Sequence, residues 1–231
     1  MRLPYCAAKL VLPVFLPLLC RWEIKGEREL PQGRVIVAAN HLANFDIPVL
    51  MMAISRRISF MAEEELFRFP LGPGFRLFES FPVRRGAIDR NALEKAGEVL
   101  RRKGCVLGMF PEGRKSPTAQ LQPGYPGTAQ VALRNDAYIL PIGIAGTEKV
   151  KERIQGPISF LHRPPVTVTI GKPLRLVRPE GPLSHAYLKK CTDAIMYKLA
   201  ELLPESYHGV YKLSERDRSP DREQMYAAIS L

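Results

Sequence analysis

His41 and Asp46 are the residues of this chain best equipped for chemistry. They frame the segment Asn40-His41-Leu42-Ala43-Asn44-Phe45-Asp46, which directly follows the apolar run Val35-Ile36-Val37-Ala38-Ala39. A histidine with an aspartate five positions on can form a base and its orienter. The imidazole takes a proton from a hydroxyl, and the carboxylate fixes the tautomer and stabilises the imidazolium that results. At about 100° per residue, five steps along a regular helix separate two side chains by about 140°. The pair therefore meets only if the segment between them turns before it becomes helical. The same residues also have a purely structural use: Asp46 would N-cap the apolar stretch Ile47–Ile54, with Pro48 in the first turn, and His41 would be a polar loop residue.

The elements around this pair set where it must sit. Val35–Ala39 reads as a buried strand and Ile47–Ile54 as a helix, so the pair lies where a strand ends and a helix begins, as sites in α/β folds do. Ile58–Met61 reads as a short strand. Asn91–Lys103 is an amphipathic helix with Leu93, Ala96, Val99 and Leu100 on its apolar face and Gly104 as its C-cap. Cys105–Phe110 is a strand, Gly124–Asn135 a helix, Ala137–Ile144 a strand despite Pro141, Val166–Ile170 a half-exposed strand and Ala186–Leu203 a long helix ending at Pro204. This alternation predicts an α/β fold: one domain with a mixed, mostly parallel sheet flanked by helices.

Both ends differ from this pattern. Leu10–Cys20 is wholly apolar, but its eleven residues fall short of the roughly 20 that a span needs; Pro13 and Pro17 interrupt it, and Lys9 and Arg21 flank it. Residues 1–25 are thus expected to form an apolar helical segment that contacts a membrane from one side, with Arg21 and Trp22 at head-group depth. Residues 26–210 form the α/β domain. Residues 211–231 include the charge-dense Ser214–Glu223 and read as a polar, mobile tail.

Composition narrows the partners. The 231 residues carry a formal net charge of +11, with 46% in the hydrophobic class. That is enough for one full core, and the charge favours anionic partners such as phospholipid head groups or a phosphorylated substrate. Nucleic acid is not expected, because the arginines are scattered and neither an RNA-binding aromatic signature nor zinc-finger spacing occurs. Cys6, Cys20, Cys105 and Cys191 are widely separated and lack metal-ligand spacing; no metal is required, and a reducing cytosolic face fits.

Three further blocks stand beside the His–Asp segment. They are Phe81-Pro82-Val83-Arg84-Arg85-Gly86, Phe110-Pro111-Glu112-Gly113-Arg114-Lys115-Ser116 and Ile139-Leu140-Pro141-Ile142-Gly143-Ile144-Ala145-Gly146. The stretch Gly108–Ser116 nearly matches a P-loop. However, Arg114 holds the lysine position, Pro111 removes a phosphate-binding N–H, and Glu112 would repel the phosphate, so nucleotide binding is rejected. A strand-like Phe81–Val83 points its neighbours to opposite faces, so only one of Arg84 and Arg85 should reach a site directly.

In this order the four blocks resemble the glycerolipid acyltransferase family, typified by 1-acylglycerol-3-phosphate acyltransferases. The resemblance covers roughly residues 22 to 175, and the co-occurrence is far more specific than any one block. It implies transfer of a fatty acyl group from an acyl-CoA or acyl carrier protein thioester, the co-substrate, to 1-acylglycerol 3-phosphate, forming phosphatidic acid in phospholipid biosynthesis. Glycerol 3-phosphate or another lysolipid or glycolipid is the alternative acceptor. No cofactor is implied, and the expected location is a monotopic one on the cytoplasmic face of a membrane. His41 and Asp46 become the catalytic pair. Asn40 becomes a positioning residue in the substrate site and Arg85 the phosphate ligand. Glu112 contacts the glycerol part or holds the site together, Gly113 allows close backbone approach, and Arg114 or Lys115 meets phosphate. The chain departs from the family in carrying Arg114-Lys115 where Thr-Arg is common, and Glu63-Glu64-Glu65 where a lysine often follows the alanine. No Gly-x-Ser-x-Gly elbow occurs, so the acceptor's own hydroxyl is the expected nucleophile. A non-catalytic basic module that binds membrane or nucleic acid is the reading from another class.

Overall fold

The computed structural model describes residues 3–63, 80–83, 90–150, 163–212 and 229–230. Seven strands form the main sheet: β1 (Arg21–Lys25), β2 (Val35–Ala39), β3 (Arg57–Glu63), β4 (Phe81–Val83), β5 (Cys105–Met109), β6 (Tyr138–Ala145) and β7 (Pro165–Ile170). Their order across the sheet is β1-β7-β6-β2-β5-β3-β4. All neighbours run parallel except β6 and β7, which pair antiparallel from Ile142↔Ile170 to Ala145↔Thr167. The expected mixed, mostly parallel sheet is therefore present. A small ribbon joins β8 (Arg175–Leu176) to β9 (Ile229–Ser230), and the rest of the expected tail beyond Lys212 lies outside the described residues.

Among the described residues the helices α1 (Leu3–Leu19), α2 (Asp46–Ala53), α3 (Arg90–Arg101), α4 (Gly127–Asn135) and α5 (His185–Ala200) cover the sheet's two faces. Val35, Val37 and Ala39 of β2 pack into one core with Tyr5 and Leu16 of α1 and with Ile47, Leu50 and Met51 of α2. Ile36 and Ala38 point the other way, into a second core with Ala96 and Val99 of α3, Ala129 and Ala132 of α4, and Leu188, Cys191 and Ile195 of α5. A strand buried on both faces must be apolar at every position, which is why Val-Ile-Val-Ala-Ala shows no alternation. The chain places β5 on one side of β2 and β6 on the other. Such a change of direction is where open α/β sheets place their binding sites, at the carboxyl ends of the strands.

Element boundaries depart from expectation where proline or packing intervenes. α4 starts at Gly127 rather than Gly124, because Pro126 disfavours helical backbone at Tyr125 and serves as the N-cap residue. α5 ends at Ala200; Leu202 and Leu203 follow in tight turns through N–H bonds to Leu199 and Ala200 carbonyls. Pro141 is tolerated in central β6 because the ladder to β7 begins only at Ile142, so the missing N–H costs no strand pairing on that side.

α1 is a single 17-residue helix with Pro13 and Pro17 inside it, in the stretch where a helical segment is expected. At about 1.5 Å per residue it reaches about 25 Å, short of a bilayer's roughly 30 Å apolar core. Among the described residues no helix is long and apolar enough to cross a membrane. Buried contacts fix it to the domain. The Ile58 N–H donates to Tyr5 Oη at 3.1 Å, and Lys9 Nζ donates to the carbonyls of Ile54 (2.8 Å) and Ser55 (3.2 Å) just past the end of α2. Arg21 and Trp22 open the edge strand β1, ahead of the domain start expected at residue 26. Trp22 pairs with Val166 and packs partly buried against the first core.

At the exit of β6, Gly146 has φ +93°, and a Cβ there would lie 2.1 Å from the Pro165 carbonyl oxygen. Only glycine fits such a turn. Gly146→Ala is expected to destabilise the fold by about 1–3 kcal/mol, read as a lowered denaturation midpoint; an unchanged midpoint would refute the constraint.

Candidate active site

Three adjacent strand ends build the site: β2 delivers His41, β5 delivers Glu112, and β6 delivers Thr147. Asn40 ties two of them together. Its Nδ2 donates to the Ile144 carbonyl at 2.8 Å, and its Oδ1 accepts the Ile144 N–H at 2.7 Å. The buried amide thus serves as one more rung between β2 and β6, just where their own ladder ends at Ala39↔Ile142.

The turn required between His41 and Asp46 is present. The Asp46 N–H donates to the Ala43 carbonyl at 3.1 Å, and helix α2 begins only at Asp46. Asp46 is fully buried. Its side chain does not cap the helix in the usual sense, since Phe45 holds the N-cap position with no side-chain cap. Instead it folds back over the turn. Oδ2 accepts from His41 Nδ1 at 2.7 Å, from the Leu42 N–H at 2.7 Å and from the Ala43 N–H at 2.9 Å. Oδ1 accepts from Thr147 Oγ1 at 2.5 Å. A carboxylate only accepts, so His41 carries a proton on Nδ1, which leaves Nε2 as the basic nitrogen of the neutral ring. The His41 side chain is 15% exposed while that of Asp46 is sealed, so the pair is open to substrate only at the imidazole.

The second block braces the first. Phe110 stacks on the imidazole with ring centroids 3.9 Å apart and planes 13° apart, and Phe60 stacks behind it at 6.0 Å. A Cβ on Gly108 would lie 2.5 Å from the Phe60 ring, so this glycine makes room for the stack. Glu112 is buried. Its Oε1 accepts the His41 N–H and its Oε2 the Gln122 N–H, both at 2.9 Å, while the Ser116 N–H donates to the His41 carbonyl at 2.7 Å. Both of these Glu112 contacts are to backbone N–H groups. Gly113 has φ +65° and brings the backbone against the Tyr125 ring. Arg114 is exposed, and Lys115 Nζ donates to Asn44 Oδ1 at 3.1 Å, across the His–Asp turn. Arg85, with Arg84, Glu64 and Glu65, lies outside the described residues.

Sequence reasoning left out Phe110 as a packing plate, Gln122 as a Glu112 partner, and Thr147. Only Thr147 had a visible signal: a hydroxyl residue one step past the glycine that closes the last apolar block. All four cysteines are free thiols, and burial pushes Cys191 up to about 11 against the weaker opposing pull of Tyr187 and Lys190, which suits an inert side chain. Among the described residues no three His, Cys, Asp or Glu side chains converge as a metal site would need.

The fold and geometry define an α/β protein with a hydrogen-bonded His–Asp pair at the carboxyl end of a mostly parallel sheet. Residues 21–145 match the family model described as Acyltransferase, and the chain belongs to that family. It is 29% identical over 155 residues to a 1-acyl-sn-glycerol-3-phosphate acyltransferase of Cocos nucifera, covering 64% of this chain and 48% of that one. It is 30% identical over 129 residues to a probable 1-acyl-sn-glycerol-3-phosphate acyltransferase of Mycoplasma genitalium, covering 53% and 48%. The chain thus spans about half the length of these relatives. Its structure is similar to the crystal structure of the 1-acyl-sn-glycerophosphate (LPA) acyltransferase PlsC from Thermotoga maritima, with TM-score 0.57, 25% identity, and coverage of 87% of this chain and 84% of that one.

Burial pushes the Glu112 carboxyl from 4.5 up to about 7; the two backbone N–H bonds pull it down, and the nearby Asp46 charge adds a further push upward. Its folded value exceeds its unfolded one, so the folded chain holds the proton more tightly. The linked stability is fully present below pH 4.5 and is lost as pH rises through about 7. A shift of this size corresponds to on the order of 3 kcal/mol. Urea titrations should therefore show native stability falling as pH rises across this window, whereas Glu112→Gln, offset at every pH because its amide NH2 cannot accept a backbone N–H, should give a flat profile there. Parallel profiles would contradict the assignment.

Proposed function

We propose that the protein transfers a fatty acyl group from a coenzyme A or acyl carrier protein thioester to the free hydroxyl of 1-acylglycerol 3-phosphate, forming phosphatidic acid. The observation that carries this reading is the His41 imidazole, locked by a sealed carboxylate with Nε2 as its reactive edge, in a member of the Acyltransferase family. His41 Nε2 removes the acceptor's hydroxyl proton as the oxygen attacks the thioester carbonyl. The tetrahedral intermediate collapses with cleavage of the carbon–sulfur bond. The leaving thiolate takes the proton back from the imidazolium, so ester and thiol form and the base is regenerated. Asp46 fixes the Nδ1–H tautomer and stabilises the imidazolium. Phe110 holds the ring plane.

The acceptor's phosphate and its reactive hydroxyl sit on adjacent carbons, so the cation that binds the phosphate must lie near the base. The contact of Lys115 with Asn44, inside the His–Asp turn, supports Lys115 in this role. Arg85 and Arg114 are the further phosphate ligands in this reading, and Asn40, Glu112 and Gly113 hold the backbone on which acceptor and base meet. Glycerol 3-phosphate, lacking the first acyl chain, is the competing acceptor.

α1 supplies the membrane contact. Tyr5, Ala8, Leu12, Leu16 and Leu19 pack on the core, whereas Leu10, Val11, Val14, Phe15 and Leu18 form a second apolar stripe exposed to between 50% and 79%. An exposed apolar stripe of that kind, on a helix too short to span, suits insertion into one leaflet. A lipid acceptor and a lipid product would then reach the site without leaving the membrane.

Purified protein given acyl-CoA or acyl carrier protein thioester and a panel of phosphorylated and neutral acceptors should form phosphatidic acid from 1-acylglycerol 3-phosphate, read by product mass. His41→Ala should lose about 10²–10⁴-fold in turnover while keeping its thermal midpoint, and Asp46→Asn somewhat less. Transfer only to unphosphorylated acceptors, or near-native turnover by His41→Ala, would overturn the proposal. Replacing Phe15 and Leu18 by serine should reduce the salt-resistant part of vesicle co-sedimentation and leave the fold intact. Unchanged sedimentation in high salt would remove α1 from the membrane contact.

A further inference from the structure

Thr147 has no place in the four sequence blocks, yet it makes the only contact that the structure gives Asp46 Oδ1 among the described residues. We infer that Thr147 is a positioning residue that completes a Thr147–Asp46–His41 relay, acting on the base through the carboxylate; this rests on the reading of His41 as the general base.

The placement is over-determined. Gly146 turns the chain at the end of β6 through a backbone conformation closed to other residues, and helical backbone begins at Thr147. The Asn40 clamp on Ile144 fixes the same strand end from the β2 side. Thr147 and Asp46 are both fully buried, and their oxygens stand 2.5 Å apart across 101 residues of sequence. A carboxylate has two oxygens, and three N–H donors already crowd Oδ2. Without Thr147, Oδ1 would be a buried, charged acceptor with no donor. The carboxylate could then relieve that loss only by rotating, which would take Oδ2 off His41 Nδ1. The hydroxyl therefore does two things: it compensates the charge that stabilises the imidazolium, and it sets the rotation of the carboxylate that sets the imidazole. Thr147 touches neither substrate nor the reacting atoms, and its influence should appear in turnover rather than in acceptor binding.

Three variants test this: Thr147→Val, which keeps the shape and removes the donor; Thr147→Ser, which keeps the donor; and Thr147→Ala, in case the buried valine impairs folding. Steady-state transfer from acyl-CoA to 1-acylglycerol 3-phosphate should show kcat lowered at least about ten-fold in Thr147→Val and Thr147→Ala, since hydrogen bonds to charged groups are the strong ones. KM should stay within about two-fold, and Thr147→Ser should recover most of kcat. In an Asp46→Ala background, Thr147→Val should change kcat by less than about two-fold, because the two residues act as one unit. The proton NMR resonance of His41 Nδ1–H, assigned by its loss in His41→Ala, should move in Thr147→Val and return in Thr147→Ser. Native kcat with an unmoved resonance in Thr147→Val would overturn the inference, as would a Thr147→Ser variant no better than Thr147→Val, which would mean that only shape matters. If the native protein acylated none of the acceptors, the proposed function would fall, while the resonance would still decide whether Thr147 governs the His41–Asp46 pair.

Discussion

The buried charge of Asp46 is the constraint on which the rest of the site depends. A carboxylate sealed from water carries a desolvation penalty of several kcal/mol, and it persists only where good donors surround it. Here four converge: the imidazole, two backbone N–H groups of the turn before α2, and the Thr147 hydroxyl. Meeting that demand dictates local structure. The chain must turn at Leu42–Ala43 rather than continue as helix, α2 must start at Asp46, and the exit of β6 must lie within hydrogen-bond reach of the exit of β2. The tautomer of His41 follows from the same arrangement, so the chemistry and the backbone path share one cause.

The sheet provides the rigid frame for that cluster. β2 is buried on both faces and central among the three strands that carry the site, so displacing it would disrupt both cores. Beyond its last residue the strand ladder is replaced by side chains that act as backbone partners: Asn40 for β6, and Glu112 for the loop between β5 and α4. A buried amide and a buried carboxyl, each satisfying two backbone groups, tie the loops to the strand ends. α1 connects this frame to its surroundings. It is pinned to the end of α2 through Lys9 and to β3 through Tyr5, so the helix proposed to enter the membrane is rigidly joined to the helix that begins with Asp46.

Much of this is legible in sequence because it rests on local rules. The apolar runs marked β2 and β5, the apolar face of Leu93, Ala96, Val99 and Leu100 marked α3, and the spacing of His41 and Asp46 demanded a turn that the structure contains. What escaped reading is long-range. Thr147 lies 101 positions from Asp46, and Gln122 reaches Glu112 through a backbone N–H that any residue type would offer. β1 was obscured because Arg-Trp-Glu-Ile-Lys follows an apolar run directly and reads as its flank; only pairing with β7, over a hundred residues later, makes it a strand.

The central claim is that His41 activates the acceptor's own hydroxyl, with no acyl group ever resting on the protein. The most direct measurement is rapid mixing of the enzyme with an acyl thioester, following thiol release and intact protein mass with and without 1-acylglycerol 3-phosphate. Direct attack requires negligible thiol release and no mass increase until the acceptor is added, followed by thiol and phosphatidic acid in equal amounts. A burst of thiol matching the enzyme concentration, with an acyl adduct on the protein in the absence of acceptor, would contradict it.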